Sequence, residues 1–180
     1  MKNVYTSKSA VISECGRFRY VLTRRWADNL PTMIFLMLNP STADADLDDA
    51  TIRKCVGFAK IHGCGSIKII NLFALRSRDP KELLTAEDPL GSQYWFYLQF
   101  TLDSIIQGDK LVLAWGCDDT IRRKQSLVDH MNRVRLMVAP YIPRCFGLTQ
   151  GGAPKHPVML GYKTPLITFQ YEDLPCPITQ

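Results

Sequence analysis

Met33-Ile-Phe-Leu-Met-Leu-Asn-Pro-Ser-Thr-Ala-Asp44 is the stretch from which the chain is best read. Six apolar residues, Met33 to Leu38, run into Asn39-Pro40-Ser41-Thr42. A continuous apolar run of that length, ended by a proline, predicts a strand buried on both faces. Proline has no N–H to give a sheet ladder, so the strand is expected to stop at Asn39. A polar side chain then stands at the carboxyl end of a core strand, where ligands bind in open α/β sheets.

Outward from this strand, further segments share its form. Ser66-Ile-Lys-Ile-Ile-Asn-Leu-Phe73 is a second buried strand, closing on Asn71. Lys110-Leu-Val-Leu-Ala-Trp-Gly116 is a third, and Arg144-Cys-Phe-Gly-Leu148 a short fourth. The fourth leads into Thr149-Gln-Gly-Gly-Ala-Pro-Lys-His-Pro157, a Gly/Pro-rich loop carrying His156. Between the strands lie helical patterns. Ile52, Cys55, Val56 and Ala59 share one face of a helix from Thr51 to His62, capped by Asp48 or Asp49. Ser92 to Gln107 carries Tyr94, Trp95, Phe96, Tyr97 and Phe100 all round, which predicts a well-buried helix. Asp118 or Asp119 is expected to cap a long helix reaching about Val134. At the N-terminus, residues 11–23 alternate around Cys15-Gly16 and read as a β-hairpin.

Strands separated by helices imply a parallel sheet with helices on both faces. The expected fold is therefore α/β, a three-layer sandwich around a mainly parallel four-stranded sheet with an N-terminal β-hairpin. One domain is expected, with residues 1–30 as a hairpin extension, 31–160 as the core and 161–180 as an extended tail. The 180 residues suffice for a substantial core, and 46% hydrophobic with 22% charged content is ordinary for a globular protein. No apolar run is long enough to span a bilayer, and the first residues lack the apolar core of a signal peptide. A cytoplasmic protein without membrane partners is the expectation. The six cysteines form no CxxC pair, so they read as reduced structural thiols with no zinc or iron–sulfur signature. A formal net charge of +5 is compatible with nucleic acid as a partner without requiring it.

A parallel topology brings the carboxyl ends of all four strands to one edge of the molecule. Asn39, Pro40 and Ser41 arrive from the first, Asn71 and Arg76 from the second, Trp115 and Gly116 from the third, and His156 from the fourth. Each also has a plain structural role: a strand-end asparagine caps turns, and a glycine permits them. Their placement on one edge makes them the candidate site. Asp44, Asp46, Asp48 and Asp49 form an acidic cluster that lacks the spacing of a calcium loop. Helix capping accounts for Asp48 and Asp49 without a metal. No Walker, Rossmann or GxSxG pattern is present, which argues against nucleotide hydrolysis, dinucleotide chemistry and serine hydrolysis.

The segments Leu38-Asn-Pro-Ser-Thr-Ala-Asp44, Asp48-Asp-Ala-Thr-Ile-Arg53, Asn71-Leu-Phe-Ala-Leu-Arg76 and Pro154-Lys-His-Pro157 resemble the bacterial and phage family known as domain of unknown function 1643. That resemblance implies no activity. The strand ends also resemble, more distantly, the uracil-DNA glycosylase superfamily. Asn39-Pro40 stands in the place of its first motif, Asn71 in that of its base-reading asparagine, Trp115-Gly116 in that of its Leu-Gly, and His156-Pro157 in that of its His-Pro-Ser. Met37 replaces the first motif's glycine, and Val158 the last motif's serine.

This second resemblance implies an N-glycosidic bond hydrolase acting on a flipped base, with no cofactor and DNA as partner. In that role Asn71 reads the base and His156 supports the oxyanion that develops on it. Asn39 positions a water, Asp44 or Asp46 supplies a carboxylate, and Ser41 and Arg76 hold phosphates. The alternative is a non-catalytic binder of nucleic acid or of a nucleotide-like small molecule in the same pocket. A third reading is a metal-dependent hydrolase centred on residues 44–49.

Overall fold

The structure is a computed structural model that describes residues 4–41, 47–117 and 119–170. It contains strands β1 (Ser7–Ile12), β2 (Arg19–Arg25), β3 (Thr32–Met37), β4 (Ser66–Asn71), β5 (Lys110–Leu113), β6 (Arg144–Cys145) and β7 (Ile167–Thr168). The helices are α1 (Ala50–Ile61), α2 (Glu82–Thr85), α3 (Tyr94–Asp103), α4 (Asp119–Arg122) and α5 (Gln125–Val138).

The strands form one seven-stranded sheet in the order β1-β2-β4-β3-β5-β6-β7. β3 runs parallel to both β4 and β5, and β5 runs parallel to β6. β1 with β2, β2 with β4, and β6 with β7 are antiparallel. The α/β class stands, but the expected sheet is corrected: it is mixed and seven-stranded, not mainly parallel and four-stranded. The N-terminal hairpin is no appendage. β2 pairs with β4, Leu22 opposite Ile69, and so continues the sheet. Tyr20, Val21 and Leu22 are consecutive buried residues, and a free hairpin could not cover both faces of such a run. At the other edge, β7 adds two residues to β6, too few to leave a periodic signal.

Residues of β3 alternate between two cores. Met33, Phe35 and Met37 pack with Ile52, Cys55, Val56 and Phe58 of α1. Ile34 and Leu36 pack on the opposite face with Leu98 and Leu102 of α3 and Leu127, Met131 and Val134 of α5. The chain leaves β3 through α1 to reach β4 on one side. It then returns through α3 to β5 on the other side of β3. The connections thus reverse at β3, and a crevice opens beyond its carboxyl end, the position that binds ligands in doubly wound sheets.

Two helices differ from expectation. Phe96 and Phe100 of α3 are 64% and 61% exposed, so that helix is buried on one face only. The long helix after Asp118 is broken: Lys124 is extended (φ −139°, ψ 115°) between α4 and α5. Among the described residues, no helix is long and apolar enough to cross a membrane.

Candidate functional site

A cavity of about 320 Å³ lies at the carboxyl ends of β3, β4 and β5. Met37, Leu38 and Asn39 line it from β3, Asn71 from β4, and Trp115, Gly116 and Cys117 from the segment after β5. Asp49, Thr51 and Ile52 contribute from the start of α1, and His156 from the loop after β6.

Asn39 is held by its amide. Its Nδ2 donates to the Ser77 carbonyl at 3.0 Å, with longer contacts to the Pro40 and Leu75 carbonyls at 3.3 and 3.5 Å. Carbonyls only accept, so the nitrogen must lie on that side, and Oδ1 is left without a protein donor among the described residues. Asn71 sits opposite Met37 in the parallel register, and its main-chain carbonyl accepts from Tyr94 Oη at 3.1 Å. His130 on α5 holds the next residue, its Nε2 lying 2.6 Å from the Leu72 carbonyl. The end of β4 is thus tied from the α3/α5 face while the Asn71 side chain lines the cavity. That side chain is 3% exposed, and its Nδ2 finds no acceptor among the described residues.

His156 Nδ1 accepts from the Val158 N–H at 3.3 Å. In the neutral ring this assigns the proton to Nε2. Burial pushes the His156 pKa below its ordinary value, and the negative charge of Asp49 partly offsets the shift. At neutral pH the ring is therefore an uncharged N–H donor. Gly116 holds the loop in place. Its N–H donates to the Pro154 carbonyl at 2.8 Å, and its φ is +78°. A Cβ there would lie 3.0 Å from His156 Cβ. From the far side, Tyr162 lies so close over Gly57 that a Cβ on that residue would collide with its ring. Lys54 Nζ sits 4.4 Å from the Tyr162 ring centroid and donates to the Leu160 carbonyl. α1 therefore positions both Asp49 and the segment that follows His156.

Asp49 is the cap of α1, Oδ1 accepting from Ile52 N–H at 2.8 Å. Its Oδ2 accepts from Ser41 Oγ at 2.5 Å. Asp48 caps nothing. It pairs with the fully buried Arg24 at 2.8 Å and accepts from Tyr5 Oη. Asp44 and Asp46 lie outside the described residues, and among those described no group of three or more His, Cys, Asp or Glu side chains could hold a metal ion.

The cavity therefore collects Asn39, Asn71, Ser41, Trp115, Gly116 and His156. It leaves out Pro40 and Arg76. The Pro40 carbonyl accepts from the Ser77 N–H at 3.0 Å. Arg76 lines a separate groove of about 550 Å³ with Arg17, Glu82, Glu87 and Asp88, because the chain after Leu75 turns to bond the Arg17 carbonyl. Arg19, Thr51 and Cys117 join the site without having been singled out for it, and Asp49, expected as a helix cap or as part of the acidic cluster, joins it as well. Arg19 left a signal: it is a lone charge in the buried run from Phe18 to Leu22, 3% exposed in the fold.

Fold and site together define an α/β protein with a small, mainly apolar cavity carrying a few polar side chains at the reversal point of a mixed sheet. The chain belongs to the family described as protein of unknown function (DUF1643), whose model matches residues 19–158. That span begins at Arg19 and takes in every cavity residue named above. No curated protein and no solved structure matches the chain.

Proposed function

We propose that the cavity takes a base turned out of a nucleic-acid strand, and that the protein hydrolyses the N-glycosidic bond to it. The observation that carries this reading is the convergence of Asn39, Asn71 and His156, from three separate segments, on one cavity. A base inside a duplex is out of reach and must be flipped to be processed. About 320 Å³ is at the small end of ligand pockets and suits one ring system. The Asn71 carboxamide offers a donor and an acceptor to a base edge. Breaking the bond sends its electron pair out with the base, and a neutral N–H donor at His156 Nε2 stabilises the charge that develops. Water must bond to the anomeric carbon as the base leaves, and the proton it sheds ends on the departing base. Asn39 Oδ1, whose partner amide is fixed on main-chain carbonyls, accepts from that water. Asp49 supplies the nearby carboxylate, the part expected of Asp44 or Asp46.

The test is to incubate the protein with single-stranded and duplex oligonucleotides carrying uracil, mismatched or modified bases and to quantify abasic sites. Release is expected from the wild type and lost in Asn39→Ala and His156→Ala. Release retained in both variants removes the mechanism. One observation favours binding without catalysis: both Asp49 oxygens are engaged, by the Ser41 hydroxyl and the Ile52 N–H. Thermal stabilisation by a base or nucleotide, with no abasic sites, would decide for that reading.

A further inference from the structure

Of the residues lining the cavity, Asn71 and Trp115 each carry a buried donor, Nδ2 and the indole N–H, with no acceptor among the described residues. Each residue is only 3% exposed, so neither group is satisfied by bulk solvent. Buried donors are normally paired, and a pair of orphans in one cavity marks where an occupant supplies the acceptors. Asn71 was expected to read a ligand. Trp115 is a second, independent case. It follows β5 while Asn71 ends β4, and β3 lies between those strands. Neighbouring strands are about 4.8 Å apart, so the two backbones stand roughly 10 Å from each other across the cavity floor.

We propose that Trp115 is a specificity-determining residue, its indole N–H donating to an acceptor on the bound ring other than the one that Asn71 reads. The inference rests on the reading that the cavity takes a nucleobase. The ligand must then carry acceptors on two of its edges. A ring with an acceptor on one edge leaves one buried donor unmade and binds more weakly. The ring of Trp115 is held for this work: it packs in the α3/α5 core, and Gly116 beside it is hydrogen-bonded to Pro154.

Calorimetric titration with uracil, pyrimidin-2-one and pyrimidin-4-one tests this, since each of the latter two lacks one oxo group. The wild type should bind each single-oxo ring about five- to tenfold more weakly than uracil, the worth of one hydrogen bond. Trp115→Phe should weaken uracil by a similar factor and leave one of the two analogues unchanged, because the loss on each side of that contact is the same loss. Equal weakening of all three rings, or of none, overturns the proposal. A second readout uses protein with Trp115 in place. The Trp115 indole N–H resonance, assigned by elimination with Trp26→Phe and Trp95→Phe, should move on saturation with uracil and fail to move with one analogue. A resonance unmoved by uracil also overturns it. Trp115-dependent uracil binding without abasic-site formation upholds the reader and rejects the hydrolase. Abasic sites formed with the same base preference in wild type and Trp115→Phe uphold the hydrolase and reject the reader. No binding and no release reject both.

Discussion

His156 shows how much of the site depends on one backbone position. Gly116 holds a left-handed φ of +78°, and the space over it is taken by His156. A side chain there would be strained by its own backbone, at a cost of about 1–2 kcal/mol. It would also push the imidazole away. Gly116→Ala should therefore lower the melting temperature by roughly 2–4 °C per kcal/mol lost. It should also reduce base release more than the stability change explains. Unaltered thermal unfolding and unaltered release in this variant would contradict the packing described.

At the same scale, the strand-end residues Asn39 and Asn71 and the loop residue His156 were legible because each follows a recognisable local pattern. A proline stop, an apolar run and a Gly/Pro loop all announce themselves within a few residues. Arg19 and Cys117 were not placed in the site, because what puts them there is long-range. Arg19 reaches the cavity only because β2 pairs with β4, an interaction between segments far apart in the chain. Arg76 failed in the opposite sense. It follows Asn71 closely, yet its Nη1 is drawn to the Gly16 carbonyl at 2.9 Å, in the turn before β2.

Among the elements, α1 is the one that joins stability to function. Its cap, Asp49, satisfies the Ile52 N–H, holds the Ser41 hydroxyl and lines the cavity. Two substitutions separate these jobs. Asp49→Ala removes the cap and should destabilise the protein by about 1 kcal/mol. Asp49→Asn keeps a good capping side chain, so it should cost much less in a urea titration while removing the carboxylate. Loss of release in Asp49→Asn, at near-normal stability, places the charge in the chemistry. Full activity in that variant excludes the carboxylate from it. The extent of α1 was legible because cap, apolar face and stop agree along the sequence. α3 was not read correctly, because a dense aromatic segment looks the same whether all its faces are covered or only one. Phe96 and Phe100 lie four residues apart and stack at 6.0 Å on the uncovered side. The break before α5 has no Gly or Pro to announce it, since residues 123–124 are Arg-Lys.

The whole molecule carries three histidines, and all three have pKa values below the ordinary one, with burial as the main cause in each. Beside His62 the charges of Lys110 and Arg144 add to the shift. At His130 the Leu72 carbonyl opposes it, and at His156 Asp49 does. In the unfolded chain an imidazole takes its proton near pH 6.5. In the fold each takes it only at lower pH. Between those values the unfolded state binds more protons, so stability is full above about pH 6.5 and falls as the pH drops through the window. Urea midpoints should therefore be lower at pH 5.5 than at pH 7.5, and His130→Gln should reduce the difference. A midpoint that rises on acidification would contradict these environments. Base release should likewise be sustained above pH 6.5 and decline only at lower pH, where protonation of His156 ends the Nδ1 acceptance from the Val158 N–H that orients the ring.

The α/β class was legible at this largest scale, since buried strands and amphipathic helices alternate along the chain. The extent and direction of the sheet were not. Strands β1 and β2 look like a free hairpin although β2 is internal to the sheet, and the edge strand β7 has only two residues. Pairing between remote segments decides both.

The claim on which all else rests is that the cavity beyond β3 is a base-binding site. A crystal structure of the protein soaked with uracil measures this directly. The ring is expected inside that cavity, one edge within hydrogen-bond distance of the Asn71 carboxamide and His156 Nε2 within reach of a ring oxygen. A ring bound on another surface, or a cavity that stays without one at saturating uracil, would contradict it.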